Sequence, residues 1–199
     1  MLNFLCFETC SPNPSVSIFI NNRHLDTHIL EGRTTSDFPN DANQILVKNN
    51  IDLSRLDFVA VTIGPGSFTG IRVGLSLAQG LCYSLKIPIV PVNSLDVLCS
   101  NSIVNENSIV ALHSHGDFIF TRYKGQSNSH LTNVDEIKEE QVFGVGLGKF
   151  KHMFRMTELK YSSIEVGDYS IKNYDFIVTN DVGSISPVYL NEYKVQTGI

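Results

Sequence analysis

The sequence lacks any run approaching the roughly 18 consecutive apolar residues that a membrane-spanning helix needs. Its start, Met1-Leu2-Asn3-Phe4, lacks the basic residues that open a secretion signal. These absences predict a cytoplasmic protein with no membrane partner. Basic residues are in the minority, 15 Lys and Arg against 20 Asp and Glu, for a formal net charge of −5 over 199 residues. Without a broad basic field, unaided grip on DNA or RNA is disfavoured, and any nucleic-acid role is expected to be indirect. The four cysteines, Cys6, Cys10, Cys82 and Cys99, form no CxxC pair and lie in or beside apolar segments, where a free thiol behaves as a small hydrophobe. Neither a Walker motif nor a GxGxxG fingerprint is present. There is no internal repeat, and no low-complexity tract beyond an excess of Asn and Ser.

What remains is the composition of a globule. With 42% hydrophobic and 18% charged residues, the chain is too apolar and too weakly charged for a disordered one. Its length suits one compact domain or two small lobes. Residues 2–8 read as a buried strand and Ser15 to Ile20 as a second. Asn21-Asn22 suits a two-residue hairpin turn, since Asn tolerates positive φ, and Arg23 to Leu30 returns as a third strand. Residues 31–40 read as loop, Asp41 to Asn50 as a weak helix, Leu56 to Ile63 as the strongest strand, and 68–86 as a helix stopped by Pro88. Ile87 to Val92 and Ser94 to Cys99 add a strand and a short helix capped by Asn93 or Ser94. The first hundred residues thus read βββαβαβα. The polar stretch Asn101 to Asn107 marks a boundary between a lobe at 1–100 and a shorter one at 101–199. In the latter, Ser108 to Leu112, Phe118 to Lys124, Gln141 to Val145 and Tyr174 to Thr179 read as strands, and Val134 to Glu140 as a charged helix.

The informative segment is Gly64-Pro65-Gly66-Ser67-Phe68-Thr69-Gly70, which joins a buried strand to a helix. Free N–H groups at such a helix start suit an anion, and glycine permits close approach. The same pattern also suits a tight turn that holds no ligand, with Ser67 or Thr69 as the cap. In the helix, Arg72, Ser76, Gln79, Tyr83 and Lys86 fall on one polar stripe. Ile71, Leu75, Ala78, Cys82 and Leu85 line one apolar face. Val73, Leu77 and Leu81, with Gly70, Gly74 and Gly80 nearby, line another. One apolar face packs on a sheet; the second suits either a subunit interface or a second core layer.

The run Ile63 to Gly74, the Phe4 to Ile20 hairpin with its Ser-Val-Ser return, Leu75 to Ala78, Gly80-Leu81, Pro88 to Val92 and Ser94-Leu95 together resemble the TsaB (YeaZ) family. Pro187-Val188-Tyr189-Leu190 is similar to that family's closing strand motif. The resemblance implies an α/β fold of two ribonuclease-H-like lobes of the actin, Hsp70 and sugar-kinase superfamily, with mixed central sheets and a reduced second lobe. It also implies a non-catalytic partner of TsaD, which transfers threonylcarbamoyl to adenosine 37 of tRNAs reading codons that begin with A. TsaE would join the assembly, a homodimer is the alternative when the chain is alone, and tRNA would be met only indirectly. No tightly bound cofactor is implied; ATP or ADP at the interface with TsaD is the candidate ligand. Glu8, Thr9, Gly64, Gly66 and Ser67 would line the equivalent of the phosphate cleft, and Ile71, Val73, Leu77, Gly80 and Leu81 the partner face.

Departures from the family pattern bear on this. Glu8 stands where an Asp is usual, and a longer carboxylate would misplace a magnesium-bound water, which weakens an independent ATPase. No His occurs between Arg33 and Phe38, and the usual Asp-Ala-Arg appears as His113-Ser114-His115. The alternative function is a stand-alone phosphotransferase or ATPase, or a metal-dependent peptidase, of the same superfamily. Against a metal, His24 and His28 lie on a predicted strand, where four residues span about 13 Å. His113 and His115, with Asp117 nearby, read as a polar rim rather than ligands. Ser67 sits in no Gly-x-Ser-x-Gly elbow and has no adjacent base, and the charge run Asp135 to Glu140 reads as a solvated face.

Overall fold

The computed structural model describes residues 1–30, 37–138 and 141–190. Most of the expected 31–40 loop, including Arg33, and the end of the 135–140 charge run lie outside the described residues. The first sheet comprises β1 (Phe4–Glu8), β2 (Ser15–Ile20), β3 (Arg23–Ile29), β4 (Phe58–Gly64) and β5 (Ile89–Asn93), in the order β3-β2-β1-β4-β5. β1, β2 and β3 run antiparallel, whereas β4 lies parallel to both β1 and β5. Asn21 and Asn22 both adopt positive φ, 54° and 63°, in the hairpin turn their chemistry predicts. Helix α1 (Phe38–Lys48) begins three residues earlier than expected, because Pro39 fits a first helical turn. Helix α2 (Phe68–Leu85) is capped by the Ser67 hydroxyl and ends on a left-handed Lys86; α3 (Ser94–Cys99) is capped by Asn93.

The second sheet comprises β6 (Ile109–His113), β7 (Phe118–Tyr123), β8 (His130–Asn133), β9 (Gln141–Val145) and β10 (Arg155–Glu158), in the order β10-β9-β6-β7-β8. Its pairing repeats the first: three antiparallel strands, then two parallel ones. The duplication invisible in sequence is therefore present in topology. Strands are retained and helices lost: single 3-10 turns at Val134–Glu136 and Gly148–Phe150 stand where the first lobe has α1 and α2. Of the charged helix expected at Val134 to Glu140, the described residues form only the first of these turns, at Val134–Glu136.

The strand expected at Tyr174 to Thr179 is instead the end of helix α4 (Ser163–Ile177), followed by a bridge from Thr179 to Ile89. The overlooked signal is the Ser162-x-x-Glu165 spacing at the helix start: the Ser162 hydroxyl accepts from Ile164 N and donates to Glu165 Oε2. Although it follows the second lobe in the chain, α4 packs on the first sheet. Val166 joins a buried layer with Phe4, Phe19, Phe58 and Val90, and Phe4 stacks between Phe19 and Phe58 at 4.6 and 4.2 Å. Ser15 and Ser17 of β2 hold its start, Ser15 Oγ accepting from Ser163 N at 2.8 Å and Ser17 Oγ meeting Ser163 Oγ at 2.6 Å. On the other side of the sheet, α1 and α2 cover Leu5, Phe7, Val16, Ile18, Val59 and Val61. A third layer, with Cys10, Ile71, Leu95, Leu98, Val110, Leu112 and Phe143, joins the lobes. Buried Arg122 of β7 pairs there with Asp96 of α3. Among the described residues, no helix is long and apolar enough to cross a membrane.

Candidate functional site

Five sequence-selected residues, Glu8, Thr9, Gly64, Gly66 and Ser67, meet where β1 and β4 end beside the start of α2. The packing there is internal. Glu8 is fully buried, and its carboxylate turns back onto its own loop: Oε1 accepts from Cys10 N at 2.7 Å and Ser11 N at 3.0 Å, Oε2 from Ser11 Oγ at 2.5 Å. Burial raises its pKa from 4.5 to about 7, against the opposing pull of these hydrogen bonds. Burial likewise pushes the Cys10 thiol up to about 12, which leaves it inert as a nucleophile.

The glycines owe their identity to this loop. A Cβ on Gly66 would lie 2.5 Å from Cys10 Cβ, one on Gly70 2.0 Å from Thr9 O, and one on Gly74 2.4 Å from Thr9 Oγ1. Gly64, at φ +112°, would meet the Val188 carbonyl at 2.5 Å. Ser67 N donates to Cys10 O, and Ser67 Oγ accepts from Gly70 N at 3.2 Å. The segment makes a tight turn clasping residues 9 and 10, and the space beside Gly66, Gly70 and Gly74 is taken by the chain itself. The Pro187 to Leu190 segment forms no regular strand; Val188 N donates to Ile63 O at the end of β4 at 2.8 Å, and the Tyr189 ring lies against Phe68 of the turn at 5.2 Å. Around Glu8, the Tyr161 and Ser94 hydroxyls are buried without a partner of hydrogen-bonding geometry, as is Thr9 Oγ1. Burial and the Glu8 charge both push the Tyr161 phenol up.

Helix α2 divides as its periodicity predicts, with two corrections. Gly70, Ile71, Gly74, Leu75, Ala78 and Cys82 are buried. Ile71, named for the partner face, is wholly enclosed between the lobes and offers nothing to a partner. Gly70 and Gly74 pack on Thr9 instead of lining the second face. Val73, Leu77 and Leu81 are half-buried at the margin of the core, and Gly80 is exposed, with nothing within 4 Å of a Cβ placed on it. The polar stripe is partly covered: Gln79 Nε2 donates to the carbonyls of Val182 and Ile185, while Arg72 donates to the Tyr189 hydroxyl and stacks on Phe68. The sequence singled out Pro187 to Leu190 but not its contact with α2, whose partners lie more than 100 residues away.

The histidines are dispersed. His24 meets Thr27 Oγ1 at 2.6 Å, and His28 faces Asp41 at 3.8 Å. His113 lies against Phe150 and His115 against Phe118. Among the described residues, no three His, Cys, Asp or Glu side chains converge on a point that could hold a metal.

Comparison with known proteins bears on this architecture. The family model of TsaD, tRNA N6-adenosine threonylcarbamoyltransferase, matches residues 24–165. The chain is similar to the tRNA threonylcarbamoyladenosine biosynthesis protein TsaB of Haemophilus influenzae, 32% identical over 98 residues, 49% of this chain and 42% of that protein. TsaB of Buchnera aphidicola subsp. Schizaphis graminum is 28% identical over 137 residues, 63% of this chain and 58% of its own. The tRNA N6-adenosine threonylcarbamoyltransferase of Prosthecochloris aestuarii is 35% identical over 95 residues, 48% of this chain and 27% of that enzyme. The chain spans about half the length of the curated TsaB relatives it matches. Among solved structures, YeaZ from Pseudomonas aeruginosa superposes with a TM-score of 0.75 at 18% identity, covering 96% of this chain and all of that one. With two mixed five-stranded sheets of repeated order, the fold is the paired ribonuclease-H-like architecture of actin-like proteins. The chain belongs to the family that the TsaD model describes, on its TsaB (YeaZ) side.

Proposed function

We propose that this chain is the non-catalytic partner subunit of the machinery that forms N6-threonylcarbamoyladenosine at position 37 of tRNAs reading codons that begin with A. It acts by heterodimerising with TsaD and activating it. The observation that carries this reading is the outer surface of α2. Val73, Leu77 and Leu81 are half-covered, exposed Gly80 leaves room for a close approach, and Val47 of neighbouring α1 is 67% exposed. A helix with its core face already buried and a second apolar margin open is built to receive another helix. Glu8 supports a role without chemistry of its own, because three donors already engage its carboxylate. TsaE joins the assembly, ATP or ADP occupies the interface with TsaD rather than a site within this chain, and tRNA is held chiefly by TsaD. A homodimer of the chain alone would use the same α2 surface. The complex works in the cytoplasm.

Co-purification and sedimentation with TsaD test this. Leu77→Arg should abolish pairing while the circular-dichroism spectrum of the isolated chain stays unchanged. A folded Leu77→Arg chain that pairs normally would sink the interface.

A further inference from the structure

Charge in this chain is unevenly placed. Over residues 148–160, Lys149, Lys151, Arg155 and Lys160 stand against Glu158 alone, a net of +3 in a chain of −5, so the rest carries −8. This stretch is the connection between β9 and β10 with β10 itself, lying where the first lobe has α2. Only nine residues, 146–154, make the parallel crossover. The connection is held firmly. Phe150 and Phe154 are buried in the second lobe's core, Gly146 takes a left-handed turn, and Gly146 N donates to Glu158 Oε1 at 2.9 Å. The one acidic side chain of the stretch is thus turned onto backbone. Lys149 donates to Gly116 O and lies over Phe150, tying the 113–118 hairpin alongside. That hairpin brings His113, His115, Asp117 and Phe118, the last 36% exposed with His115 stacked on it. Among the described residues, no carboxylate lies within ion-pair distance of Lys149, Lys151, Arg155 or Lys160, although Lys48, Arg122 and Lys124 elsewhere are all paired. Lys151, His152 and Arg155 are exposed.

We infer that this face is a contact surface for the sugar-phosphate backbone of RNA, the occupant being the tRNA on which the proposed complex acts; the inference rests on that reading. Unpaired cations on an anchored turn match phosphates with little ordering cost, and the adjoining stacked His115 and Phe118 suit an unpaired base. The net charge of the whole chain conceals the surface because it averages this basic stretch with an acidic remainder.

A fluorescein-labelled tRNA reading a codon that begins with A, titrated with the TsaD complex and with the chain alone between 50 and 200 mM salt, tests it. Lys151→Ala and Arg155→Ala should each weaken binding roughly 3- to 10-fold and flatten the log-affinity against log-salt slope by about 1. Lys172→Ala, on α4, should change neither. Unchanged affinity in the first two variants, an equal loss in Lys172→Ala, or loss of binding only to anionic phospholipid vesicles would overturn the inference. Co-purification with TsaD is scored separately: failure of the wild type to pair sinks the proposed function, while titration of the chain alone still decides the surface.

Discussion

Replacing Gly80 separates the stability of α2 from its availability to a partner. The residue is exposed within an 18-residue helix, and a Cβ there meets nothing within 4 Å. Glycine in a helix interior costs about 1 kcal/mol relative to alanine, because the unfolded chain loses more backbone freedom there. With no clash to offset that gain, Gly80→Ala should stabilise the chain by about 1 kcal/mol, a rise in Tm of roughly 2–4 °C at this length. Gly80→Phe recovers part of the same gain but sets a ring where a second helix must approach. Thermal melts followed by circular dichroism, with co-purification against TsaD, read both effects. The alanine variant should melt higher and still pair. The phenylalanine variant should melt no lower than wild type and pair at least about tenfold more weakly, ~1.4 kcal/mol. A phenylalanine variant that pairs like wild type would refute the close approach, and an alanine variant of lower Tm would refute the open space.

Glu8 ionises at about 7 in the folded chain against 4.5 normally, so the native state holds its proton more tightly than the unfolded chain does. Its stabilisation is complete below pH about 4.5 and is lost as pH rises through about 7, roughly 3 kcal/mol across the window. In urea titrations the advantage of wild type over Glu8→Gln should therefore shrink from pH 4.5 to 7.5; an advantage that grows would contradict the burial argument. Gly167→Ala would place a Cβ 2.3 Å from the Phe19 ring, and overpacking of this kind costs about 1–3 kcal/mol. A denaturation midpoint equal to wild type would disprove the tight seat of α4 on β2. Asp96→Ala leaves the buried Arg122 guanidinium with Ser129 Oγ as its remaining acceptor among the described residues, at a cost of about 1–3 kcal/mol, reduced because the Asp96 side chain is 38% exposed. Amide exchange should quicken in α3 and β7 together, and unchanged protection would show that the pair does not join the lobes.

The order of elements through residue 100 is legible because local chemistry marks each boundary: Asn21-Asn22 at the hairpin, Ser67 at the start of α2, Pro88 past its end, Asn93 ahead of α3. The second half gives weaker signals. β8 and β10 are four-residue strands at the two edges of their sheet, only partly buried, so no apolar alternation announces them. In α4 the aromatic and branched residues of Tyr174 to Val178 imitate a strand, and only the Ser162 to Glu165 capping pair gives the helix away. The site divides likewise. The strand-to-helix turn and the two faces of α2 follow from spacing. Whether Glu8 faces a cleft or its own loop depends on rotamer and burial, and whether a glycine makes room for a ligand or for Thr9 depends on contacts some 60 residues apart.

The placement of α4 has a consequence for synthesis. Among the described residues, the Phe4, Phe19 and Phe58 face of the first sheet is covered chiefly by helix α4, residues 163–177, with Val97 of α3 beside it, and α4 leaves the ribosome after the whole of the second lobe. Until then, three stacked aromatic rings await a cover that the nascent chain has yet to deliver. The N-terminal lobe must therefore complete its fold after its neighbour has been made, and release of a lone N-terminal piece would set free a sheet with one bare apolar side. Chaperone occupancy during translation should accordingly persist until α4 has cleared the exit tunnel.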